Sequence, residues 1–169
     1  PDWSRGLGDV YKRQHKEKGM IPIQATHVSG VVISEFDGIK KMLLLERVKG
    51  GYWCHVAGGV EEGETGWQTI VRELKEETQI EDVELHTADF LEQFYEAHKN
   101  RIMVIPCFVL FCKPNQTVTL NHEHTDYRWC TLEEAKQLVP FTNQHHLYEH
   151  VWKHYVESEL TPFTLIKQS

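Results

Sequence analysis

The segment from Gly58 to Ile80 constrains the fold of this 169-residue chain more than any other part of the sequence. It reads GGVEEGETGWQTIVRELKEETQI, a glycine-rich acidic stretch followed by a helical pattern. Thr65 and Gln68 match a capping box, in which each residue bonds the backbone of the other, and this predicts a helix start. Four apolar residues then recur with the spacing of one helix face: Trp67, Ile70, Val71 and Leu74. The segment therefore predicts a loop and then an amphipathic helix packed on a core.

A second stripe on the same helix carries three carboxylates. Glu73, Glu76 and Glu77 are spaced i, i+3 and i+4, so they fall within one arc of about 100° beside the apolar face. Like charges four residues apart repel by about 0.2–0.5 kcal/mol. A divalent cation such as Mg²⁺ would offset this repulsion, because it takes oxygen ligands and keeps waters and substrate phosphates in its shell. The spacing alone leaves two interpretations open, a metal site and a solvated acidic face.

The spacing of the fixed residues is more specific than the charge pattern. Gly58, five residues, Glu64, seven residues and then Arg72-Glu73-Leu74-Lys75-Glu76-Glu77-Thr78-Gln79-Ile80 resembles the Nudix box, GX5EX7REUXEEXGU. The resemblance implies an α/β fold, a Nudix-type α/β/α sandwich with a mixed sheet and a catalytic loop-helix. Gln79 departs from the pattern, because it stands where the box has Gly. A left-handed residue often ends a helix, and Gln in that conformation costs about 1 kcal/mol unless the helix ends in another way.

The resemblance also implies site residues. The metal ligands would be Glu73, Glu76, Glu77 and the backbone carbonyl of Ala57 or Gly58, holding Mg²⁺ or Mn²⁺. Arg72 would orient the carboxylates through ion pairing, with Glu64 as its partner. The catalytic set expected by position is Glu73, Glu76, Arg72 and Glu123, with Glu76 or Glu123 as the base.

Glu123 enters through a second motif. Glu123-His124-x-x-Tyr127-x-Trp129 resembles a segment of many Nudix proteins, notably those near the dATP and dihydroneopterin triphosphate pyrophosphohydrolase branch. Glu123 is therefore a candidate metal ligand or general base, and its alternative is an exposed loop carboxylate. Two histidine clusters, His122/His124 and His146/His150/His154, have no carboxylate or cysteine at clear ligand spacing. We expect these histidines to be solvated or half-buried.

Four residues are candidates for substrate binding. Arg47 and Lys49 follow the second predicted strand and would meet phosphate oxygens, although a plain strand-end charge fits each of them as well. Trp53 and Tyr95 would stack on a base, since aromatic faces accept any base. Core packing is the alternative for both, because large aromatic residues dominate cores.

The remainder of the chain predicts one domain. Strands are expected at 27–34 and 42–48, joined by a turn at Asp37-Gly38, and at 52–56, 83–94, 102–112 and 127–130. Pro106 implies a bulge or an edge in its strand. Helices are expected after the Thr131-x-x-Glu134 capping box and at 144–158. Residues 20–169 are predicted to form a single Nudix domain. Residues 1–19 are predicted to be a disordered or non-native tail, since 8–14 resembles a translated adapter.

Charge and composition exclude several partners. The net charge of −7 argues against a duplex nucleic-acid binder, and no apolar run reaches the length of a membrane span. The four cysteines have no C-x-x-C spacing and are predicted to be buried and free, in a reducing cytoplasm. The expected partner is a small nucleotide, and the chain a monomer or homodimer.

The function expected from these observations is that of a Mg²⁺-dependent pyrophosphohydrolase. It would cleave a phosphoanhydride in a nucleoside or pterin triphosphate and release pyrophosphate. The alternatives are a dinucleoside polyphosphate or nucleotide-sugar hydrolase and, less favoured, a nucleotide-sensing module without turnover.

Overall fold

The computed structural model describes residues 18–169. The predicted tail therefore lies outside the described residues except for Lys18 and Gly19. The strands are β1 (Ile23–Gln24), β2 (His27–Phe36), β3 (Ile39–Arg47), β4 (Trp53–Cys54), β5 (Val56–Gly59), β6 (Glu84–Glu96), β7 (Arg101–Phe111) and β8 (His124–Cys130). The helices are α1 (Gly66–Thr78), α2 (Leu132–Leu138) and α3 (Thr142–Val151), with a π-helical turn at Trp152–Val156 and 3₁₀ turns at Ala97–Lys99 and Pro162–Thr164.

Strand β2 organises a mixed sheet. It runs parallel to β7 on one side. On its other side it pairs antiparallel with β5 along its first half and with β3 along its second half. Strand β6 pairs antiparallel with β7, and β4 and β8 pair with β3. The predicted mixed sheet is confirmed.

Pro106 lies where strand β7 changes partners. Before it, Ile102 and Met103 pair with β1, and from Cys107 onward β7 pairs with β2. A proline has no N–H to donate, so it is tolerated at such a break in the ladder. On the β6 side, the register shifts between Thr87 and Leu91, and Leu91 pairs with Pro106. The irregularity therefore lies in β6, opposite Pro106, and not in the proline's own strand as predicted.

Alternating residues of the sheet feed two cores. On one face, sheet residues such as Val32 and Leu43 form a core with Ile70 and Leu74 of α1. The other face packs on α2, α3 and the π-helical turn, through residues such as Ala135, Leu147, Tyr148 and Trp152. Helices therefore cover both faces of the sheet, which confirms the expected α/β/α sandwich. Among the described residues, no helix is both long enough and apolar enough to cross a membrane.

The sequence predicted the turn and the helix caps accurately, but the ends of strands and helices less accurately. Asp37 and Gly38 form the predicted turn, both with positive φ, and both capping boxes are present. The prediction that Gly58 and Gly59 belong to a loop is wrong, because both lie in β5 and pair with Val28 and His27. The helix predicted at 144–158 begins at Thr142 and changes to π-helical winding at Trp152.

Candidate active site

Helix α1 is fixed at both ends by its own sequence. Thr65 Oγ1 accepts from the Gln68 backbone N–H, and the Gln68 side chain accepts from the Thr65 N–H. At the other end Gln79 adopts the left-handed conformation, with φ 60° and ψ 17°, and its N–H donates to the Lys75 carbonyl. Gln79 thus takes the backbone conformation that the box Gly would favour, at a cost of about 1 kcal/mol.

Arg72 joins the loop to the helix. Its Nε and Nη2 donate to both oxygens of Glu64 at 2.7 and 2.9 Å, a bidentate pair. Its Nη1 donates to Glu73 at 2.9 Å and Glu76 at 3.2 Å, and Nη2 also donates to the Gly59 carbonyl. The Arg72 hydrogen bonds lower the pKa of Glu64 to about 2, and Glu64 in turn raises the pKa of Arg72. One guanidinium therefore orients three carboxylates.

Glu73 lies against the backbone of Gly58. A Cβ at Gly58 would come within 2.2 Å of Glu73 Cδ, whereas at Gly59 the nearest atom is 3.8 Å away. Burial raises the pKa of Glu73 although Arg72 opposes it, and Glu76 and Glu123 raise it further. The glycine thus lets a half-buried carboxylate sit beside a strand backbone.

Glu77 is the most buried glutamate of the group and meets two residues from a distant loop. The N–H groups of Thr119 and Asn121 donate to the carbonyls of Thr78 and Glu77, which ties this loop to the end of α1. One oxygen of Glu77, one oxygen of Glu123 and one ring nitrogen of His124 lie within 4.8 Å of one another. Burial, Glu73 and Glu123 raise the pKa of Glu77 to about 8.

The acidic cluster, defined here as Glu73, Glu76, Glu77 and Glu123, fits a divalent cation. Glu77 Oε2 is buried and has no hydrogen-bond partner within residues 18–169. An orphaned buried acceptor is costly, by about 1–3 kcal/mol, unless something else satisfies it. Burial raises the pKa values of Glu73 and Glu77, and neighbouring glutamates raise both further, whereas Arg72 and Arg47 oppose these shifts only in part. Oxygen-rich clusters of this kind suit Mg²⁺ or Mn²⁺.

A cavity of about 670 Å³ opens beside the acidic cluster. Ala57 and Arg47 line it. Ala57 precedes Gly58, whose backbone lies against Glu73, and Arg47 lowers the pKa of Glu77, so these two residues connect the cavity with the acidic cluster, although none of the four glutamates lines the cavity itself. Its other walls are largely apolar or aromatic: Tyr52, Phe94, Ile105, Pro140 and Phe141. Such a volume suits a nucleoside-sized group.

The floor of the cavity holds a buried polar network that the sequence did not reveal. Glu92 Oε2 accepts from Ser29 Oγ at 2.9 Å and lies 3.5 Å from His55 Nε2. His55 Nδ1 bonds the Tyr148 hydroxyl at 2.7 Å. Burial raises the pKa of Glu92, but His55 and Ser29 outweigh it, and the pKa is lowered overall. The sequence contains only a weak signal for this network, namely a histidine and a glutamate within otherwise strand-like segments.

The four candidate substrate residues lie in different places. Arg47 lines the cavity, with its guanidinium 5.8 Å from the centre of the Tyr52 ring. Lys49 is exposed in the turn after β3. Trp53 packs on the α2/α3 core and under the Arg128 guanidinium, and it is not among the residues that line the cavity.

Tyr95 is also outside the cavity wall. It is 53% exposed, and its hydroxyl donates to Asn100 Oδ1 at 2.7 Å. Its neighbours Phe94 and Glu96 line the cavity instead, because successive strand residues face opposite sides. The sequence position was thus close to the cavity, and the strand geometry turns the side chain away.

The histidines differ in their surroundings. His146 and His154 are exposed, and His150 is half-buried with Nε2 at 2.6 Å from the Ala88 carbonyl. His122 is exposed, whereas His124 is only 8% exposed and lies beside Glu77 and Glu123. The expectation that His124 is solvated or half-buried is therefore wrong, and of its two carboxylate neighbours only Glu123 is adjacent in sequence, whereas Glu77 is distant in the chain. Burial and Arg47 lower the pKa of His124.

Comparison with known proteins agrees with this geometry. The model of the NUDIX domain matches residues 25–159. An asymmetrical bis(5'-nucleosyl)-tetraphosphatase of Mus musculus is 34% identical over 127 residues, which cover 69% of this chain and 86% of the relative.

Solved structures give the same family. A Caenorhabditis elegans Ap4A hydrolase, in a binary complex, has a TM-score of 0.69 at 25% identity. The matched region covers 77% of this chain and 96% of the chain in that structure. The Escherichia coli dihydroneopterin triphosphate pyrophosphohydrolase shares the fold, with a TM-score of 0.64 at 23% identity over 80% of this chain and 100% of its own. The chain therefore belongs to the Nudix family and is an enzyme that acts on phosphoanhydrides.

Proposed function

We propose that this protein is a divalent-metal-dependent hydrolase of dinucleoside tetraphosphates that cuts the polyphosphate chain into two unequal nucleotides. The observation that carries the proposal is the acidic cluster at the border of a nucleoside-sized cavity. The clustered carboxylates would hold the metal and the phosphates, and the cavity would hold one nucleoside. The identity to asymmetrical tetraphosphatases of several animals favours this substrate over the triphosphates first expected from the sequence.

The metal would be Mg²⁺, held by Glu73, Glu76 and Glu77 with the Gly58 carbonyl. When bound, such an ion neutralises charge on the phosphate oxygens and lowers the pKa of the attacking water. Arg72 has a positioning role, since it contacts Glu64, Glu73 and Glu76 at once. Loss of this guanidinium would free three carboxylates that repel one another.

Glu123 or Glu76 would take the proton of the attacking water. Glu123 is exposed and near Glu77, whereas Glu76 is 55% exposed and bound to Arg72. One P–O bond would form to the water oxygen as one P–O bond of the anhydride breaks, and the leaving phosphate oxygen would carry the negative charge, which a bound metal ion would stabilise. Because the hydrogen bond to Arg72 occupies one Glu76 oxygen, Glu123 is the better placed base.

The cavity would bind the nucleoside next to the cleaved phosphate. Its aromatic walls, Tyr52, Phe94 and Phe141, offer stacking surfaces. Arg47 at the border would meet the phosphate oxygens. Lys49, Trp53 and Tyr95 lie outside the cavity wall, so any contact they make would be with the second half of a longer substrate.

The test is a product analysis. The protein is incubated with Mg²⁺ and, separately, with diadenosine tetraphosphate, dATP and ADP-ribose, and the products are separated by ion-exchange chromatography. We expect AMP and ATP from the tetraphosphate at a kcat/KM well above that for dATP. Pyrophosphate released mainly from dATP would favour the triphosphate function instead, and no product from any of the three would refute both.

A further inference from the structure

We propose that Gln144 selects the base of the substrate, with its side-chain oxygen accepting a hydrogen bond from an exocyclic amino group such as the 6-amino group of adenine. Gln144 lies near the start of α3 and lines the cavity of about 670 Å³. The inference rests on the proposed function, because it concerns the cavity that would hold one nucleoside. It adds a residue that distinguishes bases, whereas aromatic walls accept any base.

Three buried side-chain atoms around the cavity have no hydrogen-bond partner among residues 18–169. They are Arg47 Nε, His55 Nε2 and Gln144 Oε1, and each belongs to a residue that lines the cavity. Buried polar atoms normally have partners, so three orphaned atoms around one cavity indicate a ligand with polar groups. Gln144 is only partly buried as a residue, so a small rotation of its amide would bring Oε1 to a bound base.

Contacts with β6 fix the position of Gln144. Asn143 Nδ2 donates to the Gln93 carbonyl at 2.9 Å, which ties the first turn of α3 to this strand. The Gln144 side chain donates a hydrogen bond to Glu92, the residue before Gln93. The Gln144 backbone N–H donates to the Phe141 carbonyl at 3.1 Å. The side chain is therefore held between the helix and the floor of the cavity.

The carboxylate of Glu92 decides which end of the Gln144 amide is left for a ligand. Burial raises the pKa of Glu92, but His55 and the other hydrogen-bond partners lower it overall, so the group is ionised near neutral pH. An ionised carboxylate only accepts hydrogen bonds, so the amide nitrogen of Gln144 faces Glu92. The amide oxygen is then the free end, and it acts as an acceptor.

An acceptor at this position distinguishes bases by the group at one edge. The 6-amino group of adenine would donate to Gln144 Oε1, whereas the 6-oxo group of hypoxanthine would place a second oxygen against it. The negative charge of Glu92 would add to this repulsion, because water screens charges weakly in a buried site. A site that hydrogen-bonds one group of its substrate discriminates strongly against an analogue that lacks it. Phe141, three residues before Gln144 and on the same side of the helix, would offer the ring on which the base stacks.

The experiment titrates ¹⁵N-labelled protein, free of divalent metal, with three nucleosides and follows the side-chain amide signals of Gln144 by NMR. The probes are adenosine, purine riboside, which lacks the amino group, and inosine, which has an oxygen in its place. We expect adenosine to bind about tenfold more tightly than inosine, with purine riboside in between. Adenosine should also shift the Gln144 amide signals most.

Variants assign the preference to this side chain. Gln144→Met keeps the length of the side chain without the acceptor, so the ratio of the inosine and adenosine Kd values should fall to about one. If that variant does not fold, Gln144→Ala serves instead, because alanine favours a helix. Thr142→Val is the matched control, since Thr142 lines the same cavity two residues earlier and should keep the ratio. Glu92→Gln should lower the ratio, because a neutral amide no longer fixes the orientation of Gln144.

The outcomes separate base selection from the proposed function. Equal affinities for adenosine and inosine overturn base selection, as does a preference that survives in Gln144→Met or is lost in Thr142→Val. A ratio that is unchanged in Glu92→Gln overturns the orienting role of Glu92. Absence of adenosine binding, with diadenosine tetraphosphate still hydrolysed, overturns base selection in this cavity and leaves the hydrolase proposal standing. A normal preference for adenosine without hydrolysis of any nucleotide refutes the proposed function alone.

Discussion

Two glutamates of this protein are equally buried, but their pKa values are shifted in opposite directions. Glu77 and Glu92 are each 4% exposed. The pKa of Glu77 is raised to about 8, because burial and two neighbouring glutamates act together. The pKa of Glu92 is lowered, because His55 and Ser29 outweigh the burial. Burial alone therefore does not decide how a carboxylate ionises, and the nearby donors and charges do.

The difference separates two uses of a buried charge. Glu92 is compensated from within the protein, by a histidine and a hydroxyl. Glu77 has an oxygen without a partner, and we infer that its compensation comes from outside, as a metal ion. The hydrogen bonds of Glu92 stabilise the floor of the cavity. The oxygen of Glu77 that has no partner would instead attract a cation that binds together with the substrate.

Glu77→Gln should produce the largest effect. We expect kcat to fall on the order of 10³-fold, since a ligand of the metal is lost, while the metal-free protein stays at least as stable because a buried charge is removed. Turnover of diadenosine tetraphosphate and thermal unfolding would be measured together. Glu62→Gln, at an exposed glutamate of the loop before α1, is the control. If Glu77→Gln destabilised the fold while the molecules that remain folded kept full activity, the contrast between Glu77 and Glu92 would be wrong.

The stability of the metal-free protein should depend on pH through Glu77. Its folded pKa of about 8 is above the unfolded value of 4.5, so the folded state binds more protons in between. Stability from this group is therefore complete below pH 4.5 and is lost as the pH rises towards 8, by at most roughly 5 kcal/mol. Urea unfolding at pH 6 and pH 9 measures the loss. Glu77→Gln should reduce it, and an unchanged loss in that variant would assign it to other groups.

Gly58→Ala should reduce activity by about 10²-fold, because the new Cβ would displace Glu73 and a misplacement near 1 Å has that effect. Gly59→Ala is the matched control, since its Cβ meets only ordinary contacts and it occupies the next position of β5. Steady-state kinetics of both variants decide the matter. Equal activities would show that Glu73 is free to move.

Glu92→Gln should lower the free energy of unfolding by about 2 kcal/mol, with or without Mg²⁺, because it removes charged hydrogen bonds from a compensated network. Urea unfolding with and without Mg²⁺ provides the measurement. A destabilisation that appears only when metal is present would mean that Glu92 is coupled to the cation, which would remove the contrast with Glu77.

Gln79→Gly should have the smallest effect. Relief of the left-handed conformation, offset by the greater freedom of glycine in the unfolded chain, predicts a gain below about 1 kcal/mol with activity unchanged. Chemical denaturation can resolve it, with Gln68→Gly, at the capping box of the same helix, expected to act in the opposite direction. A loss of stability in Gln79→Gly would show that the Gln side chain contributes contacts of its own.

The sequence was most informative where partners are close along the chain. The capping boxes, the Asp37-Gly38 turn and the stripe of glutamates on α1 depend on residues within a few positions, and their patterns were visible. The Glu92–His55 contact and the meeting of His124 with Glu77 depend on strands and loops far apart in sequence. No periodicity encodes such contacts, because the first needs the sheet to set the register of β6, β7 and β2, and the second needs the loop before β8 to pack on the end of α1.

The alternation of side chains along a strand explains why Tyr95, a predicted substrate residue, lies outside the cavity wall. The sequence identified the region of Tyr95, but alternation along β6 places Phe94 and Glu96 on the cavity wall. A shift of one residue reverses the face that a side chain occupies, and an aromatic-rich strand does not specify its own register without its partners.

The planar contacts of Arg72 have a consequence for the speed of the reaction cycle. Because this side chain clamps the loop residue Glu64, the helix residues Glu73 and Glu76 and the strand carbonyl of Gly59, three elements are held in register. The proposed cation site is therefore assembled in advance, and no folding of the loop would have to precede metal uptake. Association of the ion should then be limited by loss of its own water shell and not by motion of the polypeptide.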